Sequence, residues 1–160
     1  MNTLVKGGIA LGVLTVAWTF VMGFTGWYKD PALLNLFFLV ILIQLGVMIV
    51  ALRETGKAGA SYGRQVINGL ILSAVGAVII FIGSYLYTAV IFPHYFEDIR
   101  AAHATILRSQ GKSEAEIATM VNAQIATQTP FFQAISGVAG TLATGLFFSV
   151  IIGIFTRKKS

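Results

Sequence analysis

The sequence predicts an all-α polytopic membrane protein, a four-transmembrane-helix bundle with an extracytoplasmic amphipathic helical hairpin between helices three and four. Three observations predict it. Acidic and basic side chains are absent between Lys6 and Lys29, Asp30 and Arg53, Arg64 and Glu97, and Glu116 and Arg157, stretches of 22, 22, 32 and 40 residues. A helix needs ~20 apolar residues to cross the ~30 Å hydrocarbon core of a bilayer, so every stretch holds a crossing. Hydrophobic residues make up 56% of the chain and charged residues 11%, against roughly 45–50% and 25% in a soluble domain, which makes lipid the solvent. From Phe96 to Gln128 the pattern turns amphipathic, which sets the hairpin apart from the crossings.

Helix one is expected over about 4–26, ending at Trp27 and Tyr28, whose amphipathic rings favour the membrane–water interface. Its uncharged stretch exceeds the 7–15 residues of a signal-peptide core, so it reads as a retained helix. Lys29-Asp30-Pro31 forms a tight turn, and Pro31 suits the first position of helix two, expected over about 31–52. The polar, glycine-containing stretch from Arg53 to Gly59 is a loop. Helix three is expected over about 65–92, where Pro93 lacks a backbone donor and ends or kinks it.

An amphipathic helix over about 94–109 follows, with Phe96, Ile99, His103, Ile106 and Leu107 on one face. After Gly111, Ser113-Glu114-Ala115-Glu116 is a capping box that opens a second amphipathic helix over about 114–128, with Ile117, Met120, Val121 and Ile125 inward. Thr129-Pro130 opens helix four, expected over about 131–155, and Arg157-Lys158-Lys159 follows it. The whole of 1–160 reads as one membrane domain, without repeats or low-complexity segments.

The positive charge is divided by side. Lys6, Arg53, Lys57, Arg64, Arg157, Lys158 and Lys159 fall on one side with the single acid Glu54. Lys29, Arg100, Arg108 and Lys112 fall on the other with five acids. The positive-inside rule puts both termini in the cytoplasm and the hairpin outside. A net charge of +5 placed at helix ends speaks for anionic lipid rather than nucleic acid. With no cysteine, disulfides, thiolate metal sites and cysteine nucleophiles are excluded.

The most specific pattern inside the membrane lies on helix four, where Gly137, Thr141, Gly145, Ser149 and Gly153 recur every fourth residue, widened by Ser136, Gly140 and Thr144. Small residues at this spacing let two backbones approach, for packing within the bundle or for self-association. Helix one carries a shorter version in Gly8 and Gly12. Uncharged polar side chains in the crossings are few: Asn35, Gln44, Asn68, Ser73, Ser84, Tyr85 and Tyr87. Carriers of ions or protons place ionisable groups in the bundle interior, and none falls there, which leaves only a facilitative path along groups such as Gln44, Asn68 and Tyr85. His94, Glu97, Asp98 and His103 are the one cluster with metal-ligand or acid–base character, but their spacing matches no metal motif, and interface packing is the expected role. No nucleophile elbow, phosphate loop or dinucleotide fingerprint is present, so no catalytic, cofactor or metal residue is expected.

Four features in order, the basic Ser61-Tyr62-Gly63-Arg64 entry to helix three, its Pro93 end, the stretch from Gly111 to Ile117, and a last helix followed by Arg157-Lys158-Lys159, carry a resemblance. The chain resembles the uncharacterised bacterial membrane proteins grouped as domain of unknown function 4199, over nearly its whole length. The resemblance implies four membrane helices with an extracytoplasmic helical segment between the third and fourth, and supplies no activity or site residue. The expected role is that of a non-enzymatic bacterial inner-membrane protein, an oligomer or an accessory subunit of an assembly, with its partner reached through helix four or the hairpin. A small facilitative transporter or channel is the alternative.

Overall fold

A computed structural model describes residues 2–158, so Lys159 of the basic ending lies outside the described residues. Among the described residues there are six α-helices and no strand: α1 Thr3–Thr25, α2 Leu39–Lys57, α3 Tyr62–Leu86, α4 Tyr95–Ser109, α5 Glu114–Ile125 and α6 Pro130–Thr156. Four helical segments are long and apolar enough to cross a membrane: Thr3–Thr25, Leu34–Lys57, Tyr62–Ile91 and Pro130–Thr156. The chain is that of a multi-pass membrane protein.

The helix ends follow local chemistry. Asn2 caps α1 by accepting from the Leu4 N–H at 3.1 Å, and Thr129 caps α6 by accepting from Phe132 at 3.2 Å, with Pro130 in the first turn. Ser113 and Glu116 form the expected capping box of α5. Between α4 and α5 the chain reverses at Gly111, whose φ of 79° is a left-handed value that a β-carbon resists.

Helix two departs from its expected bounds. It does not begin at Pro31, because the Asp30 carboxylate accepts from the Ala32 N–H at 2.8 Å and closes a local turn. A 3₁₀ segment, Leu34–Phe38, then winds the chain more tightly before α2 starts at Leu39. Trp18 of α1 donates from its indole to the Leu36 carbonyl at 3.0 Å, which draws this segment onto α1. At the other end α2 continues to Lys57, five residues past the expected Leu52. Helix three passes from α into a π-helical turn, Tyr87–Ile91, before Pro93; proline disfavours helical geometry at the residue before it, and Phe92 leaves the helical region there, with φ −125° and ψ 68°.

Among the four long helices, α3 makes the most extensive contacts, with α6 on one side and α1 on the other, while α2 lies more lightly against α1 and α6. Leu11, Met48, Ala51, Leu52, Leu72 and Ile152, from all four, form the core. The α3–α6 contact is antiparallel and in register: a β-carbon on Gly145 meets Ser73, one on Gly69 meets Ser149, and one on Gly153 meets Gln65. The α1–α3 contact is parallel, with Gly8 against Leu72 and Val75, and Gly12 against Gly76 and Ile79. Both depend on glycine for backbone approach, the way membrane helices pack when lipid and side chain are equally apolar.

Candidate functional site

A cavity of about 300 Å³ lies among α1, α2, α3 and α6, in the half of the molecule nearer α4. Its position follows from the fold. Towards the end that carries Lys6, Arg53 and Arg64, the α3–α6 register and the apolar core fill the space between the helices. Towards α4, the Leu34–Phe38 segment is held on α1 by Trp18, and a slot opens between it and α6.

The floor is polar without being charged. Gln44 of α2, which is buried, donates from its amide to the Thr141 carbonyl at 2.8 Å and accepts from the Thr144 hydroxyl at 2.7 Å. Thr15 of α1 also lines the cavity, and its hydroxyl is buried with no hydrogen-bond partner. Ser84, Thr88 and Ser136 add hydroxyls, while Phe37, Val40, Ile41 and Ile80 supply apolar wall. No lining residue of this cavity carries a carboxylate, amine, guanidinium or imidazole.

A second, neighbouring space of about 450 Å³ lies towards α4. It shares Thr19, Phe37, Phe38, Tyr87 and Tyr95 with the first, and extends along Ile99, His103 and Ile106 of α4. The shared boundary is aromatic: Tyr87 lies 5.3 Å from Tyr95, 4.6 Å from Phe92 and 5.6 Å from Phe20, centroid to centroid. Burial first, and the neighbouring Tyr28 second, push the Tyr95 phenol up to about 12, so it stays protonated at neutral pH.

One polar cluster fastens α4 over this space. Tyr28, buried beneath α4, donates its hydroxyl to Asp98 at 2.7 Å, and Lys29 pairs with the same carboxylate oxygen at 2.9 Å. Partial burial raises the Asp98 pKa, but hydrogen bonds from Lys29 and Tyr28 and the lysine charge outweigh it, and hold the carboxyl below its ordinary value. Burial and the Asp98 carboxylate push the Tyr28 phenol up. From α4 the contacts pass to α5 in antiparallel order: Arg100 donates to Gln128 at 2.8 Å, His103 faces Gln124 at 3.4 Å, and Arg108 reaches Glu114 at 2.7 Å.

The model of a family described as "Protein of unknown function (DUF4199)" matches residues 6–158. The chain belongs to this family. No curated protein and no solved structure matches it. The family description assigns no activity.

The small-residue face of the last helix divides between two surroundings. Gly145, Ser149 and Gly153 are buried against α3, whereas Gly137 and Thr141 line the cavity together with Gly140 and Thr144. A β-carbon on Gly140 would meet nothing within 4 Å. Of the scattered polar residues, Gln44, Ser84 and Tyr87 come together at the cavity, and Asn35 lines the second space. Tyr85 is exposed on the outer surface, and Asn68 lies in a separate buried cluster. That cluster centres on Gln65, fully buried, whose amide donates to the Leu52 carbonyl at 2.7 Å and the Thr156 hydroxyl at 3.1 Å, and accepts from Thr55 at 2.6 Å. Gln65 was hidden by its place at the start of an uncharged run, beside Arg64. His94 sits 3.1 Å from Glu97 at the surface, and among the described residues no three His, Asp or Glu side chains converge. On α5 only Ile117 is buried; Met120 and Ile125, expected inward, are 45% and 52% exposed.

Proposed function

We propose that this is a non-enzymatic protein of the bacterial inner membrane, with both termini in the cytoplasm, that acts as an accessory or assembly component by binding another membrane protein at the head of its last helix. One observation carries the reading. Met120 and Ile125 of α5 are exposed apolar side chains outside the long helices, and Phe131 (60% exposed) and Phe132 follow at the start of α6. α4, the partner helix of α5, is fastened to the segment between α1 and α2 by Tyr28, Lys29 and Asp98. Exposed apolar clusters rimmed by polar residues mark surfaces that another molecule covers. Self-association through Gly145, Ser149 and Gly153 is the weaker form of the reading, because α3 already occupies them. Neither nucleic acid nor a cofactor enters it.

The absence of cysteine makes the test direct. Met120→Cys and Ile125→Cys are labelled with a maleimide–benzophenone and photo-cross-linked in native membranes, beside Ser109→Cys at the far end of the pair. The expected result is one protein adduct of discrete mass from the first two positions and none from the third. If both positions yield no adduct while lipid-borne nitroxides quench labels on them, the face rests on lipid and the proposal fails.

A facilitative transporter is the second reading, favoured by the uncharged polar cavity that ends at Gln44. Its path along Gln44, Asn68 and Tyr85 would have to pass Leu11, Met48 and Leu72, which fill the space beyond Gln44, and Tyr85 lies off the line. Solute flux into vesicles that Gln44→Leu abolishes would establish it.

A further inference from the structure

We propose that the cavity between α2 and α6 binds an uncharged, single-chain amphiphile taken from the bilayer, with its hydrogen-bonding head at Gln44 and Thr144 and its chain along the aromatic wall. The lining excludes a charged head, since no counter-charge lines the cavity and an unpaired buried charge is strongly disfavoured. A plain hydrocarbon would leave the Thr15 hydroxyl, which has no partner within the protein, still unpaired. A hydroxyl or carbonyl head suits groups that both donate and accept. The buried Thr15 hydroxyl, which lacks a partner within the protein, marks unmet polar capacity in the same lining.

Entry from lipid follows from the position of the slot. Phe37 and Phe38 on one side and Ser136 and Gly140 on the other line the cavity and are also exposed on the flank of the long helices. At about 300 Å³, with an adjoining space of about 450 Å³ under α4 that shares its aromatic lining, the volume suits one chain rather than a two-chain lipid.

The test uses the full chain in phosphatidylcholine vesicles, with a monoacylglycerol carrying a diazirine in its acyl chain as probe. Photolabelled residues are expected on α6 between 133 and 144, and between 37 and 41 where the 3₁₀ segment meets α2. Excess 1-oleoylglycerol should compete, and hexadecane and oleate should compete at least roughly fivefold less well, the worth of about one net hydrogen bond. Gly140→Phe, which puts a ring into the slot where a β-carbon meets nothing, should cut labelling about tenfold. Ser136→Phe serves the same purpose should Gly140→Phe fail to fold. Gly46→Phe, which also meets nothing but lines a different cleft, should leave labelling unchanged. Labelling spread evenly over outward residues such as Val13 and Val78, equal competition by hexadecane, or indifference to both slot-filling variants would each overturn the proposal.

Discussion

At Gly145 a single hydrogen atom separates a packed interface from a clash. A β-carbon there would collide with the Ser73 hydroxyl oxygen and sit 2.7 Å from the Ser73 β-carbon, and neither belongs to a long side chain that can swing away. Gly145→Leu should therefore lower stability by about 1–3 kcal/mol or more, read as a fall in the unfolding temperature of the detergent-solubilised protein. Gly140→Leu, on the same helix and facing open space, should cost little. The contrast was only half visible in sequence. The four-residue spacing on the last helix is plain in the chain, and its partner face on α3, Gly69, Ser73 and Ala77, has the same spacing and went unread because it lies inside a longer apolar run. Tyr28 was legible in part: an aromatic ring after a membrane helix reads as an interface anchor, and only the fold brings Asp98, 70 residues on, above it. A carboxyl held below its ordinary pKa contributes stability that is complete above that ordinary value and disappears as pH falls through the folded value. The Asp98 contact should accordingly hold at neutral pH and loosen below about pH 4. Spin labels on Ala32→Cys and Thr105→Cys should show a distance distribution that broadens on acidification through that range. With Asp98→Asn added, the distribution should be broad already at pH 7 and insensitive to pH.

The same arguments at the scale of elements concern how helices are started, stopped and tied. Caps and prolines were legible: Ser113 with Glu116, Thr129 with Pro130, and Pro93 all act where the residues stand. Ser113→Ala should remove about 1 kcal/mol of local helix stability, seen as faster amide exchange in the first turn of α5 with α6 unaffected. The start of α2 was not legible, since Pro31 is equally at home in a helix's first turn and in the turn that the Asp30 carboxylate closes. The cavity depends on that ambiguity, because eight residues of turn and 3₁₀ helix, 31–38, stand where a continuous helix would have reached α6. Gln65 ties three elements at the opposite end, holding the end region of α2 and the last residue of α6 from the first turn of α3. Gln65→Leu keeps the volume and removes the amide. The expected loss is roughly 1–3 kcal/mol, the cost of leaving buried polar groups without partners, and thermal unfolding in detergent measures it.

Over the whole molecule, the charges and the four long helices make one argument about orientation. Alternating passage through four helices collects Lys6, Arg53, Lys57, Arg64, Arg157 and Lys158 at one end with Glu54 as the lone acid, and leaves Lys29, Arg100, Arg108 and Lys112 among five acids at the other. Lysine and arginine in short loops near helix ends resist transfer across the membrane, whereas acids contribute little, so the first end is the one expected to stay in the cytoplasm. The loop between α2 and α3 offers Gly59, and the end of α4 offers Ser109, both exposed. In intact cells an impermeant maleimide should label Ser109→Cys and leave Gly59→Cys untouched until the membrane is opened. The reverse pattern would put the exposed apolar side chains of Met120, Ile125, Phe131 and Phe132 in the cytoplasm, and the partner sought there would change with it. Labelling of both positions in intact cells would be incompatible with Gly59 and Ser109 lying at opposite ends of α3, and so with α3 as a crossing at all.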